Sequence, residues 1–150
     1  MSAAHQLVGF NLDEQRYGLQ LAAVERVVRM VEITPLPKAP QIVLGVINVQ
    51  GLIIPVVDIR RRFRIPARDI RLSDHLLIAR TARRTVALAL DAVIGIVERS
   101  APAVMPAEEI LPGLEYVEGV MKLEDGLILI HDLETLLSLE EEQGLDAALQ

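Results

Sequence analysis

Three histidines, His5, His75 and His131, have the widest chemical reach of any residues in this chain. None of them shares an element with a second His, Asp or Glu at metal-ligand spacing. His131 and Asp132 are adjacent, and adjacent residues of a strand point to opposite faces. A metal site is therefore not expected, and His131 is expected at a strand end on the barrel surface. The serines are Ser2, Ser73, Ser100 and Ser138, and none stands in the sharp turn that exposes a nucleophile. Without cysteine there is neither thiolate chemistry nor a disulfide. Gly45 and Gly51 lack the following Lys-Ser/Thr of a phosphate-binding loop. Asp58 could pass for a phospho-acceptor at a strand end, yet no acidic cluster follows the first strand. Its expected role is to cap a short helix from Ile59 to Phe63. Catalytic residues, cofactors and metals are not expected.

Charge offers a second kind of chemistry. The net charge is −6, but nine arginines lie between Arg60 and Arg84 against Asp69 and Asp74. That segment carries about +7 and the remainder about −13. The run Arg60-Arg61-Arg62-x-Arg64 suggests one alternative function, a nucleic-acid-binding β-barrel using Arg60 to Arg71. Base stacking would need a series of interleaved aromatics, which this segment does not provide. The favoured reading is a solvated helix face or a surface for an acidic partner, with no nucleic acid bound. The acidic stretch Glu140 to Asp146 reads as a solvated helix end.

The elements that hold these residues must be aliphatic. Half the chain is apolar (51%), with two Phe, two Tyr and no Trp. Its apolar runs are rich in Val and Ile, which favours strands. No run reaches the ~20 residues that span a bilayer, and the N-terminus does not read as a signal peptide. A cytoplasmic protein without membrane insertion is expected.

An internal repeat organises the strands. Leu19-Gln20-Leu21-Ala22-Ala23-Val24 and Val27-Val28 recur, 69 residues on, as Leu88-Ala89-Leu90-Asp91-Ala92-Val93 and Ile96-Val97. Gly45-Val46 and Asp58-Ile59 bracket a segment of the same length as Gly119-Val120 and Asp132-Leu133. Two similar halves result, about 6–63 and 75–137, joined near Pro66 to Asp74. Hairpins are expected at Gln6–Leu12 with Tyr17–Leu21, and at Val43–Val49 with Leu52–Ile59 across Gln50-Gly51. The second half repeats them at Leu76–Arg80 with Val86–Leu90, and at Gly119–Leu123 with Leu127–Ile130 across Asp125-Gly126. The Pro-rich stretches Leu36–Ile42 and Ala101–Gly113 (Pro102, Pro106, Pro112) read as irregular. Asp132 should cap a terminal helix, about 132–143, carrying Leu133, Leu136, Leu137 and Leu139 and ending before Gly144. Short strands with regular turns predict an all-β fold of barrels. Val46, Ile53, Val57, Leu88, Leu90, Val93, Val120 and Ile128 should be buried.

Over about residues 6–138 the chain resembles the CheW family. The resemblance rests on V-G-F-x-L-x-x-x-x-Y-G-L (Val8–Leu19), T-P-L-P-x-A-P (Thr34–Pro40) and G-V-I-N-V-Q-G-L-I-I-P-V-V-D-I-R (Gly45–Arg60). L-D-A-V (Leu90–Val93) and D-G-L-I-L-I-H-D-L (Asp125–Leu133) add to it. It implies a single CheW-like domain over 1–150, built as two intertwined SH3-like five-stranded barrels related by a pseudo-twofold. It also implies a non-catalytic adaptor between a CheA-type histidine kinase and the cytoplasmic tip of a methyl-accepting chemoreceptor. Two departures stand out. The family's N-L-R-G turn is Asn48-Val49-Gln50-Gly51 here, and its V-x-E-[IV] is Val24-Glu25-Arg26-Val27. The expected partner-binding surface takes Val24, Val27, Ile47, Ile54 and Val56 as an apolar groove, with Arg26, Asn48, Gln50 and Gly51 at its rim.

Overall fold

The computed structural model describes residues 4–100, 103–110 and 115–150. Pro102 and Pro112, expected in an irregular stretch, lie outside them. Among the described residues eleven strands run in the order β1 (Ala4–Leu12), β2 (Gln15–Gln20), β3 (Val24–Arg29), β4 (Val43–Val49), β5 (Leu52–Val57), β6 (His75–Arg80), β7 (Thr85–Leu90), β8 (Ala92–Ser100), β9 (Val104–Pro106), β10 (Val117–Leu123) and β11 (Gly126–His131). Among the described residues three short helices, α1 (Ile59–Arg62), α2 (Ala107–Ile110) and α3 (Leu139–Ala148), join two 3-10 turns at Leu21–Ala23 and Leu133–Thr135.

The strands form two sheets, β8-β1-β2-β11-β10-β9 and β3-β6-β7-β5-β4. Each draws on both halves of the sequence. The hairpin β1–β2 lies in the six-stranded sheet with β8 and β11, while β6–β7 lies in the other with β3 and β5. The repeat explains the exchange. β11 runs parallel to β2 with Ile130 opposite Gly18, and β5 runs parallel to β7 with Val56 opposite Ala87. Gly18 and Ala87 are related by the same 69-residue shift found in the sequence. The pseudo-twofold is therefore real, and the two halves are intertwined.

The strand number departs from the expected five and five. β9 adds a sixth strand, with Met105 opposite Val120. In the other sheet its counterpart is reduced to one bridge, Thr34 to Val46. The repeat glycines follow from these crossings. A Cβ on Gly45 would lie 2.3 Å from the Thr34 carbonyl oxygen, and one on Gly119 would lie 3.2 Å from that of Met105. Pro106 is tolerated because β9 is an edge strand that need not donate outward.

The core has three parts. A joint cluster takes Phe10, Leu12 and Leu19 from one hairpin, Leu77, Val86 and Leu88 from the other, and Leu136 and Leu145 from the C-terminal segment. Smaller clusters fill each barrel, around Ile47, Ile54 and Leu76 in one and Leu7, Met121 and Ile128 in the other. The expected core residues Val57, Leu88, Leu90, Val120 and Ile128 are buried. Val46 and Val93 are only half-buried, and Ile53 is 53% exposed. β5 sends Ile54 and Val56 inward, so alternation turns Ile53 out.

The terminal helix also differs from its expected limits. Asp132 precedes only the 3-10 turn, and its side chain makes no capping bond. The helix proper starts after Ser138, in a reciprocal box in which Ser138 and Glu141 bond each other's backbone N–H. It runs through Gly144.

Candidate functional site

The β4–β5 turn is built by Gln50 and Gly51, both left-handed at φ 52° and 85°, a pairing that matches the twist of a two-residue hairpin. Asn48 Oδ1 accepts from Gly51 N at 2.8 Å and fixes the loop. Arg26, on edge strand β3, reaches across the barrel mouth and donates to Gln50 Oε1 at 3.5 Å. The two positions that depart from the family pattern are thus direct neighbours. Arg26, Asn48, Gln50 and Gly51 are exposed, Val27 is exposed and Val24 is half-buried.

Burial corrects the rest of the expected groove. Ile47, Ile54 and Val56 are at most 2% exposed, so they support this surface from beneath and cannot line it. Their outward neighbours Leu52 and Ile53, 54% and 53% exposed, take that place. Both lay in the same apolar run; phase separates Ile53 from Ile54 and Val56, whereas Leu52 shares their phase and is exposed at the strand end beside the turn. The surface is a raised apolar turn beside an edge strand, with one guanidinium at its rim.

The arginine run is solvated only in part, with Arg61 and Arg64 exposed. Arg60 is 7% exposed and donates to Asp13 at 2.6 Å and Asp91 at 2.7 Å. Arg68 pairs with Asp74 at 2.8 Å and Asp91 at 2.5 Å. Burial pushes the Asp74 and Asp91 carboxyls up, but their arginine partners and backbone N–H donors outweigh it and hold both below the usual carboxylate range. Arg60 also holds the Pro66 carbonyl at 2.9 Å. This cluster clamps the inter-half linker to the β1–β2 and β7–β8 turns. Arg62 pairs with Glu141, and Arg84 with Glu142 and Asp146, so the expected solvated acidic helix end is a docked one. Internal carboxylates thereby take up Arg60, Arg62 and Arg68, and a nucleic-acid site on Arg60–Arg71 loses half of its cations. Asp58 does cap α1, accepting from Arg60 N at 3.1 Å.

His131 is not at the surface. It is 2% exposed, stacked on Phe63 at 4.3 Å, with Tyr17 edge-on at 4.8 Å and Phe10 edge-on at 5.3 Å. Tyr116 closes the cluster against Phe63, so every aromatic of the chain gathers around this histidine. Neither ring nitrogen has a hydrogen-bond partner among the described residues. Burial alone lowers its pKa to about 3, which makes it an apolar plug rather than an acid–base group. Its seat follows from alternation along β11, where His131 shares the face of Leu129 and meets Phe10 and Tyr17 of the joint core.

The family model for the CheW-like domain matches residues 6–141. The chemotaxis protein CheW of Rhizobium meliloti is 28% identical over 95% of this chain and 94% of its own length. That of Treponema pallidum is 27% identical over 93% and 86%. The crystal structure of the scaffolding protein TtCheW from Thermoanaerobacter tengcongensis superposes with a TM-score of 0.83 at 31% identity, covering 94% of this chain and 96% of that one. Among the described residues no helix is long and apolar enough to cross a membrane.

Proposed function

The chain belongs to the CheW-like domain family, and from that premise we propose that it is a non-catalytic cytoplasmic adaptor coupling a CheA-type histidine kinase to chemoreceptor tips. The observation that carries the reading is the Arg26–Gln50 apposition, flanked by exposed Val27, Leu52 and Ile53 over a rigid aliphatic core. A receptor tip is a helical bundle, and such a partner needs an apolar contact with a polar rim. The rim selects through charge. Where the family pattern has an acid and an arginine, this chain has Arg26 and a neutral Gln50, so the native receptor is expected to place an acidic side chain opposite Arg26.

Titration calorimetry of variants against the cytoplasmic fragment of the native receptor tests this. Arg26→Glu should weaken binding by at least ~1 kcal/mol at low salt. Gln50→Arg should change native binding less and improve binding to a receptor that suits the common family pattern. Parent-like affinity of Arg26→Glu at low salt rejects this surface as the receptor site.

A further inference from the structure

The C-terminal helix α3 is held by charge more than by packing. Its ten residues carry Glu140, Glu141, Glu142 and Asp146 and no basic residue. Leu145 is the one apolar side chain it buries, while Leu139 at its start is 59% exposed. Its seat is made of loops and turns. Gly144 lies against Pro40, where a Cβ would come within 3.3 Å of the ring. The carboxylates reach Arg62 at the end of α1 and Arg84 in the β6–β7 turn. Those two arginines belong to different halves of the repeat, so α3 straps one half to the other.

The attachment is concentrated in a few atoms. Arg84 Nε donates to Glu142 at 2.9 Å, and a terminal nitrogen of the same guanidinium pairs with Asp146. Glu141 Oε1 pairs with Arg62 and also accepts from Ser138 N at 2.8 Å, so one carboxylate both starts the helix and ties it down. Two clefts border α3. One of about 570 Å³ has Glu141 on its wall, and one of about 210 Å³ has Leu139 and Glu142 on its wall. Side chains that face a void gain no dispersion contact there, which leaves Leu145 as the main apolar resistance to release. A ten-residue helix is too short to persist alone in water, and the Asp146 charge near its C-terminus opposes the helix dipole. Without its arginines, α3 melts rather than swinging away as a rod.

We propose that α3 is an electrostatic strap that opens as a unit below global unfolding, leaves the two barrels intact, and masks Arg62 and Arg84 while closed. Arg61 and Arg64 are exposed and share the larger cleft with Arg62. Opening withdraws Glu141 from that cleft, and of the acids on its wall only Glu115 remains. The ionic surroundings thereby set the charge that the cleft presents. The device needs no partner, so it stands or falls independently of the adaptor reading.

Amide hydrogen exchange of the full chain, resolved by residue, tests the strap. Protection over residues 142–148 should be lower than in β1–β2 and β6–β7. Exchange there should quicken about threefold between ~0.05 M and ~1 M sodium chloride, with the strands unchanged. Arg62→Gln with Arg84→Gln should speed α3 exchange by about tenfold or more and abolish the salt response. Glu142 is 6% exposed, so losing Arg84 also leaves a buried carboxylate without its counter-charge. Asp146→Ala avoids that, because the Asp146 side chain is 57% exposed. Alanine and the removed charge both favour the helix itself, so faster α3 exchange in this variant reports the lost Arg84 pair. Strand amides should keep their parent rates. Parent-like α3 exchange in both variants, a parent chain without a salt response, or loosening shared equally by the β strands overturns the strap.

Discussion

At the scale of single residues, His131 sets the acid sensitivity of the fold. Its folded-state pKa is about 3, against ~6.5 for an unperturbed imidazole. The unfolded chain therefore takes up a proton that the folded chain refuses. The stability tied to this difference is fully present above about pH 6.5 and is lost as pH falls toward 3, at ~1.4 kcal/mol per pH unit. The carboxylates of Asp74, Asp91 and Glu141 have depressed pKa values. Their contribution is present above the unfolded value near 4 and is lost only below it. The window from pH 6 to 4.5 thus isolates the histidine. Urea unfolding of His131→Leu should show a markedly flatter pH dependence there than the parent, and an unchanged slope would mean that His131 is protonated in the fold. Sequence reading placed this residue at a strand end on the barrel surface. The face of β11 that it shares with Leu129 packs on the joint core, a long-range contact that leaves no mark in the residue types, and the gathering of all four aromatics around it was invisible because they lie far apart in the chain.

At the scale of elements, the hairpins were legible and their edges were not. β1–β2, β4–β5, β6–β7 and β10–β11 carry alternating or continuous apolar runs closed by turn residues, and each forms close to its expected limits. β3 and β8 were visible only as the tail of the repeat, because their exposed faces mix Val27 and Ile96 with Arg29 and Glu98. The docking of α3 escaped notice for a different reason. Its apolar anchor is essentially Leu145, and the rest is charge pairing with Arg62 and Arg84, partners that no local pattern announces. The ion cluster on the linker is of the same kind. Asp91 accepts from Arg60, from Arg68 and from Asp13 N at 2.7 Å, so Asp91→Ala leaves two partly buried guanidiniums short of a counter-charge. Breaking one partner of a buried pair costs roughly 3–5 kcal/mol, and the partial exposure of Asp91 lowers the expectation to about 2–3 kcal/mol. Denaturant midpoints measure it. A midpoint within error of the parent would show that the cluster is solvated and contributes only its geometry.

At the scale of the whole molecule, the exchange of hairpins makes the two halves of the sequence inseparable. Residues 4–63 contain β1 through β5, yet β1–β2 finds its pairing partners β8 and β11 in the second half, and β5 finds β7 there. A half of about 60 residues is already marginal as an independent unit. Separated from its complement it would also expose Phe10, Leu12 and Leu19 on one face and leave Arg60 without Asp91. Chains ending or beginning in the linker, at Arg71 and Leu72, should therefore be largely unstructured alone by amide chemical-shift dispersion. Mixed in equal amounts, they should pair and recover native dispersion, because strand exchange and the joint core both need the two chains together. The linker ion cluster spans the cut, since Arg60 and Arg68 lie on one fragment and Asp74 and Asp91 on the other. Association should accordingly weaken at high salt, while the aliphatic core keeps it from vanishing. A first half that folds alone would mean that β1–β2 can be satisfied within its own half, and the pseudo-twofold exchange would then be a consequence of covalent linkage rather than the source of the fold's stability.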